Sequence, residues 1–174
     1  MCRTNWHVIT GAPCSGKTAV IQELEKRGYK VIHETARAYI DRRLNEGLPL
    51  QTIKADQQQF ENHILDEKIR IESSLPRNET FFFDRGIPDS IAYFKLAGLD
   101  TAIPLKKSSL FRYRQIFFFE RLKFFADRVR SEDEDTAERL GALIIESYRL
   151  LKYEVIHVPV LSIEKRIDFI LNRL

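Results

Sequence analysis

The sequence predicts an α/β protein of three layers, in which helices cover both faces of a parallel β-sheet. Short apolar runs recur along the 174 residues and alternate with longer segments of helical periodicity. The runs show little alternation of polar and apolar residues, as expected for strands that are buried on both faces. Strands and helices that alternate in this way are typical of an α/β/α sandwich around a parallel sheet.

Five strands and four helices can be assigned from these patterns. The predicted strands are residues 6–10, 29–34, 80–84, 115–120 and 153–158. The predicted helices are residues 17–27, 51–73 and 134–151, followed by a last helix from Ser162. The first helix shows how the limits are drawn, because Val20, Ile21 and Leu24 share one face and Gly28 is a natural helix end.

Length and composition restrict the classes of protein to consider. A chain of 174 residues suits one domain spanning residues 1–174. The net charge of +3 does not indicate nucleic-acid binding, which usually needs a dense basic surface. No apolar run approaches 18 residues, so we expect no membrane span. With two cysteines and no apolar signal-peptide core near the start, we expect a reducing, cytoplasmic location.

The first predicted strand leads directly into "GAPCSGKT", which fits the phosphate-loop pattern G-x-x-x-x-G-K-[ST] without a mismatch. In this pattern backbone N–H groups surround phosphate oxygens, the lysine reaches the β- and γ-phosphates, and the last hydroxyl binds Mg²⁺. An apolar strand before it and an amphipathic helix after it are the required context. The predicted nucleotide-binding residues are Gly11, Ala12, Pro13, Cys14, Ser15, Gly16, Lys17 and Thr18.

Acidic and basic residues follow the other strands, at the sheet edge where ligands bind in such folds. Glu34 and Arg37 follow the second strand, and Asp84 and Arg85 end the third. Asp84 is a candidate Mg²⁺ ligand together with Thr18, and Glu34 or Asp84 is a candidate general base. Other readings stay open: Glu34 could cap the next helix or pair with Arg37, and the arginines after the fourth strand could be solvated.

Four segments together resemble a known family: "GAPCSGKT", "HETAR", "FFFDRGIPDSIAYF" and "DRVR". They are similar to AAA_28-type P-loop ATPase/kinase domains, close to the ribosylnicotinamide kinase and deoxynucleoside kinase branches, from about residue 5 to residue 172. The resemblance implies the P-loop NTPase fold with sheet order 2-3-1-4-5, ATP and Mg²⁺ as cofactors, and an arginine-bearing lid around residues 121–135. By position it implies a base at Glu34, a metal- and substrate-binding pair at Asp84-Arg85, and an adenine-side loop from Pro159.

In the lid, Asp127 and Arg130 resemble a D-G-x-R motif in which Arg128 replaces the glycine. The prediction is therefore an ATP- and Mg²⁺-dependent phosphotransferase acting on a small hydroxylated metabolite, such as a nucleoside. Glu34 or Asp84 would accept the hydroxyl proton, Arg37 and Arg85 would bind the acceptor, and Lys17, Arg128 and Arg130 would stabilise the moving phosphoryl group.

Two other activities are compatible with the sequence. One is a stand-alone or regulatory NTPase with a protein partner, because no acceptor pocket is recognisable in the sequence. The other, less favoured, is a nucleic-acid 5′-hydroxyl kinase, which would need a basic channel. The absence of an N-K-x-D guanine-reading sequence favours ATP over GTP. The amide-rich stretch around Gln57, Gln58, Gln59 and Asn62 does not identify an acceptor, and a homodimer is compatible with the sequence.

Overall fold

The computed structural model of the chain describes residues 2–122 and 131–174. The strands are β1 (Cys2–Arg3), β2 (Trp6–Thr10), β3 (Lys30–Ile32), β4 (Phe81–Asp84), β5 (Phe111–Arg112), β6 (Gln115–Phe119) and β7 (Val155–Val158). The helices are α1 (Lys17–Lys26), α2 (Thr35–Asn45), α3 (Leu50–Ile53), α4 (Gln57–Ser74), α5 (Asp89–Leu96), α6 (Ala102–Lys107), α7 (Ser131–Leu150) and α8 (Ile163–Leu171).

The central sheet is parallel throughout and has the order β3-β4-β2-β6-β7. Counted along the chain, its five strands follow the order 2-3-1-4-5, so the predicted fold is confirmed. The later strands lie on both sides of β2, with β3 and β4 on one side and β6 and β7 on the other. This change of side makes the loop after β2 a topological switch point, where ligands bind in such sheets. β1 and β5 pair as a separate two-stranded parallel sheet, which the sequence analysis did not predict.

Two apolar clusters lie on the two faces of the sheet, because successive side chains of each strand point to opposite faces. In β4, Phe81 and Phe83 belong to one cluster and Phe82 belongs to the other. The first cluster also takes buried residues from α4, α5 and α7, and the second takes them from α1 and α8. The apolar strand runs of the sequence are therefore explained by burial on both sides.

The helices differ from the prediction in two respects. The predicted helix 51–73 is two helices, α3 and α4, because Asp56 caps the second one by accepting a 2.8 Å hydrogen bond from the backbone N–H of Gln59. In addition, α2, α5 and α6 were not predicted. Among the helices of the described residues, none has the length and apolar character needed to cross a membrane.

Candidate active site

The loop between β2 and α1 has the conformation that its glycines permit. Gly11 has φ +144°, and a Cβ there would lie 2.5 Å from the carbonyl oxygen of Phe119, so this position requires glycine. Gly16 has φ +82° and directly precedes α1. The loop therefore turns tightly against β6 and leads into a helix N-terminus, which is a geometry suited to binding phosphate.

Lys17 is the first residue of α1, and its almost completely buried side chain reaches back into this loop. Its Nζ donates hydrogen bonds to the carbonyl oxygen of Ala12 at 2.9 Å and to Oγ of Ser15 at 3.1 Å. Burial, and next the charge of Arg85, lower the pKa of Lys17 to about 8. Its neighbour Thr18 is exposed. The ammonium is thus held at the centre of the loop, where it can meet a phosphate oxygen.

Asp84 is the last residue of β4, opposite Ile9 in the parallel register, and only 2% of its surface is exposed. Its Oδ1 has no hydrogen-bond partner among the residues that the structure describes. Burial, followed by the charge of Glu34, raises the pKa of Asp84 to about 6, although Lys17 opposes this change. A buried carboxylate oxygen without a partner fits a divalent cation, because Mg²⁺ prefers oxygen ligands.

Arg85 is buried beside Asp84 and connects the phosphate loop to the end of β3. Its backbone is left-handed, with φ +69°. Its Nε donates to Oε1 of Glu34 at 3.0 Å, and its Nη1 donates to the carbonyl oxygen of Gly11 at 3.0 Å. The acid and base that end the apolar run are therefore not a surface ion pair, since both are buried at the ligand-binding edge of the sheet.

Asp89 is a site residue that the sequence analysis missed. It is completely buried and accepts hydrogen bonds from the hydroxyl groups of Thr10 and Tyr148. It also accepts bonds from the backbone N–H of Gly86 at 3.0 Å and from Nη1 of Arg85 at 3.3 Å. Asp89 thus fixes the turn that carries Arg85. The only sequence signal was an acid at the start of an otherwise apolar segment.

A cavity of about 590 Å³ opens beside Arg85, between α2, α3, α4 and α5. Its lining includes three predicted residues, Glu34, Arg37 and Arg85, whereas Asp84 does not contribute to it. Of the amide residues on α4, Gln57 lines the cavity and Gln58, Gln59 and Asn62 do not. The other lining residues are Ala36, Ile40, Asp41, Leu44, Leu50, Lys54, Phe60, Glu61, Ile64, Lys68, Ser90, Tyr93 and Leu96.

Arg166 joins the phosphate loop to the loop after β7 and was also missed in the sequence. It is buried, and its guanidinium lies 4.9 Å from the ring centre of Phe119. Nη1 donates to the carbonyl oxygen of Ser15 at 2.6 Å, and Nε donates to that of Pro159 at 3.2 Å. The exposed Pro159 is therefore tied to the phosphate loop through its backbone.

Asp127, Arg128 and Arg130 of the predicted lid lie outside the described residues, so their predicted roles stay predictions.

The fold and the loop define the class: this is a P-loop NTPase fold with a cavity beside the phosphate loop. The profile of the AAA_28 family, described as an AAA domain, matches residues 6–166. The chain therefore belongs to the AAA_28 family, as its motifs suggested. A comparison with curated proteins finds no match.

Solved structures similar to the chain include a thymidylate kinase, a deoxyadenosine kinase and NadR. Thymidylate kinase from Ehrlichia chaffeensis is 14% identical and has a TM-score of 0.69, with 99% of both chains covered. Deoxyadenosine kinase from M. mycoides, solved with dCMP and dCDP, is 18% identical and has a TM-score of 0.61, with 97% of both chains covered. NadR in complex with NR is 16% identical with a TM-score of 0.67, and the match covers 88% of this chain and 45% of NadR. At these identities the likeness establishes the fold.

Proposed function

We propose that the protein transfers the γ-phosphoryl group of ATP to a hydroxyl group of a small metabolite, with a nucleoside or a related compound as the acceptor. One observation carries this proposal. Arg85 lines the 590 Å³ cavity and also donates a hydrogen bond to Gly11 of the phosphate loop. A second compartment thus adjoins the phosphate loop, as transfer between two bound substrates requires.

The residues around the loop fit ATP and Mg²⁺. The backbone N–H groups of residues 11–18 and the Lys17 ammonium would hold the phosphates, and Thr18 and Asp84 would hold the metal ion. Bound there, Mg²⁺ would neutralise charge on the phosphate oxygens during transfer. The buried, unpartnered Oδ1 of Asp84 supports this assignment.

We assign the general base to Glu34 and the metal-binding role to Asp84. Glu34 lines the cavity, and its Oε1 is occupied by Arg85, which leaves Oε2 for the proton of an acceptor hydroxyl. Asp84 does not line the cavity and lies next to the strand that leads into the phosphate loop. Arg85 would keep the Glu34 carboxylate oriented, and Arg37, at the cavity wall, would contact the acceptor.

Charge on the moving phosphoryl group would be stabilised by Lys17 and by arginines. Arg85 occupies the boundary between the two compartments, and Arg128 and Arg130 are proposed to approach from the lid. Arginines supplied by the same chain favour a kinase over an NTPase that depends on a partner's arginine.

The deciding experiment measures Mg²⁺-dependent ATP consumption by the purified protein, alone and with nucleosides, nucleotides, vitamins and sugars. A kinase should consume ATP much faster with one acceptor, and mass spectrometry should detect the phosphorylated acceptor. Glu34→Gln should lower this rate by about 10²–10⁴-fold, the usual contribution of a general base. Glu46→Gln, an exposed change at the end of α2, should have no effect.

ATP turnover that no acceptor changes would contradict the kinase and favour the regulatory NTPase with a protein partner. Full acceptor phosphorylation by Glu34→Gln would keep the kinase but remove Glu34 as its base. Binding of oligonucleotides that weakens steeply with salt would favour the 5′-hydroxyl kinase instead.

A further inference from the structure

We propose that Glu61 and Lys68 recognise the acceptor, and that the acceptor carries an uncharged planar ring with both a hydrogen-bond donor and a hydrogen-bond acceptor on its edge, as in a nucleoside. This inference rests on the proposed function, because it takes the 590 Å³ cavity as the acceptor site. The planar ring is a part of the acceptor that takes no part in the phosphoryl transfer.

Both side chains are buried charges on the cavity wall. Glu61 and Lys68 are each only 5% exposed, yet both line the cavity. They lie two turns apart on the same face of α4, about 10 Å along its axis. Buried charged groups are rarely left without partners, because burying an uncompensated charge is strongly unfavourable.

Lys68 has one more donor than partners. Its Nζ donates to the carbonyl oxygen of Gly86 at 3.0 Å and to Oγ of Ser90 at 3.3 Å. An ammonium group has three N–H donors. Within the described part of the chain, the third donor has no partner, and the exposed remainder of this side chain faces the cavity. A ligand atom that accepts a hydrogen bond would complete the set.

Glu61 has the opposite requirement. Its Oε1 accepts a 2.9 Å hydrogen bond from Nε2 of Gln57, while no described residue donates to its Oε2. Burial raises the pKa of this carboxyl, and burial likewise lowers the pKa of Lys68. Each group is thus poorly solvated in the free protein. A ligand that donates to Glu61 and accepts from Lys68 would supply the missing hydrogen-bond partner of each group.

The rest of the lining suits a flat ring. Phe60 and Tyr93 contribute aromatic surfaces, and Ile64 and Leu96 contribute apolar ones. A volume of about 590 Å³ is within the usual range for a small-molecule site. An anionic ring substituent would be repelled by Glu61, and a sugar without a planar base would leave Oε2 of Glu61 and the third donor of Lys68 without hydrogen-bond partners. The chemistry therefore selects an uncharged base-like ring joined to the hydroxyl-bearing part.

The test is calorimetric binding, without ATP, of adenosine, guanosine, cytidine, uridine and thymidine, compared with methyl β-D-ribofuranoside, which keeps the sugar but lacks the planar base. At least one nucleoside should bind tenfold or more tightly than the riboside. Lys68→Met and Glu61→Leu should each weaken the binding of that nucleoside by at least tenfold. Gln58→Leu, a change on α4 outside the cavity, should bind it as the wild type does.

Lys68→Arg is the control for a folding defect, because it keeps the positive charge of the buried side chain and changes only the geometry of its N–H donors. Each variant should bind a fluorescent ATP analogue normally. If no nucleoside binds better than the riboside, or if Lys68→Met and Glu61→Leu bind nucleosides normally, the inference is wrong.

The outcomes also separate this inference from the proposed function. A nucleoside that needs Glu61 and Lys68 for binding but is never phosphorylated would leave the recognition of a planar ring by these two residues standing and overturn the kinase. Phosphorylation of an acceptor without a planar base, at a rate that neither substitution changes, would leave the kinase standing and overturn the inference.

Discussion

Individual residues at the candidate site carry charges that the folded chain buries. Lys17, Asp84, Arg85 and Asp89 are all nearly inaccessible to solvent and lie close together at the carboxyl ends of β2 and β4. Buried charges lower stability unless they are well paired, so active-site charges often reduce the free energy of unfolding. The least well paired of these residues should show the effect most clearly.

Asp84→Asn should make the protein more stable and less active. The pKa of about 6 lies above that of a free aspartate, so ionised Asp84 destabilises the fold at neutral pH. Removing the charge should raise the free energy of unfolding at pH 7.5 by about 1–3 kcal/mol. The same change should lower Mg²⁺-dependent phosphoryl transfer by about 10²-fold or more. Urea unfolding and steady-state kinetics measure the two effects.

The stability gain from Asp84→Asn should fade as the pH falls below about 6, because the wild-type carboxyl then becomes protonated. A variant that is less stable than the wild type at pH 7.5 would show that Asp84 has a stabilising partner in the free protein.

Glu72 gives a second prediction, away from the site. It is buried on α4 and accepts hydrogen bonds from the Tyr113 hydroxyl at 2.8 and 2.9 Å. Burial raises its pKa to about 8. The native carboxyl therefore keeps its proton between about pH 4.5 and pH 8, whereas the unfolded one loses it. Stability should fall across this window as the pH rises, by at most about 5 kcal/mol.

Glu72→Gln should flatten this part of the stability curve, because an amide does not titrate. Guanidinium unfolding of both proteins at several pH values between 4.5 and 8.5 measures the slopes. Glu138→Gln, an exposed change on α7, serves as the control and should keep the wild-type slope. Parallel curves for the wild type and Glu72→Gln would mean that Glu72 is ionised throughout.

Among the secondary-structure elements, α8 has a specific connection to the phosphate loop. Arg166 donates to Ser15 in that loop and to Pro159 after β7. Lysine cannot make both bonds in the same way, because it lacks the planar guanidinium. Arg166→Lys should therefore raise the KM for ATP about tenfold, with little change in kcat, and lower the free energy of unfolding by about 1–3 kcal/mol.

The exposed neighbour provides the control for this prediction, since Lys165→Gln should change neither KM nor stability. A fall in kcat at unchanged KM would show that Arg166 acts on the chemistry and not on the position of the loop. Guanidinium added to the assay should not rescue Arg166→Lys, because the lysine side chain already fills the space.

The sequence predicted those elements whose pattern is local. The phosphate loop could be found because glycines and a lysine at fixed spacing determine its geometry, and the strands because their apolar runs are continuous. Helix α2 was missed because most of it is not buried: Thr35 is its only buried residue, and the apolar residues Ala36, Ile40 and Leu44, which recur every four residues, line the cavity. Helix α5 has only eight residues, and five of them are buried, so its apolar residues do not form a clear helical period.

The same distinction between local patterns and packing applies to the site residues. Glu34, Asp84 and Arg85 lie at the ends of strands or just after them, and Lys17 belongs to the phosphate-loop motif, so their position at the sheet edge was predictable. Glu61, Lys68, Asp89 and Arg166 lie on helices, where a charged residue is usually solvated. Their burial depends on which elements pack together, and a single sequence does not contain that information. The cavity was missed for the same reason, because α2 and α5 form two of its walls.

In the molecule as a whole, β2 belongs to both apolar clusters and leads into the phosphate loop. Trp6 and Val8 contact one cluster, Ile9 contacts the other, and Thr10 ends the strand just before Gly11. The chain has a single tryptophan, which is fully buried at the end of β2 opposite to the loop. Its fluorescence therefore reports on a part of the fold that the nucleotide would not touch.

A non-hydrolysable ATP analogue with Mg²⁺ should nevertheless stabilise the surroundings of Trp6 against unfolding. If the two clusters unfold together, saturation at 100 times Kd should add about 2.7 kcal/mol to the free energy of unfolding. Tryptophan fluorescence and far-UV circular dichroism in urea should then give coincident transitions, shifted equally by the ligand. Lys17→Met, which removes the ammonium from the loop, should abolish the shift. A shift in circular dichroism alone would mean that the cluster around Trp6 unfolds independently of the phosphate loop.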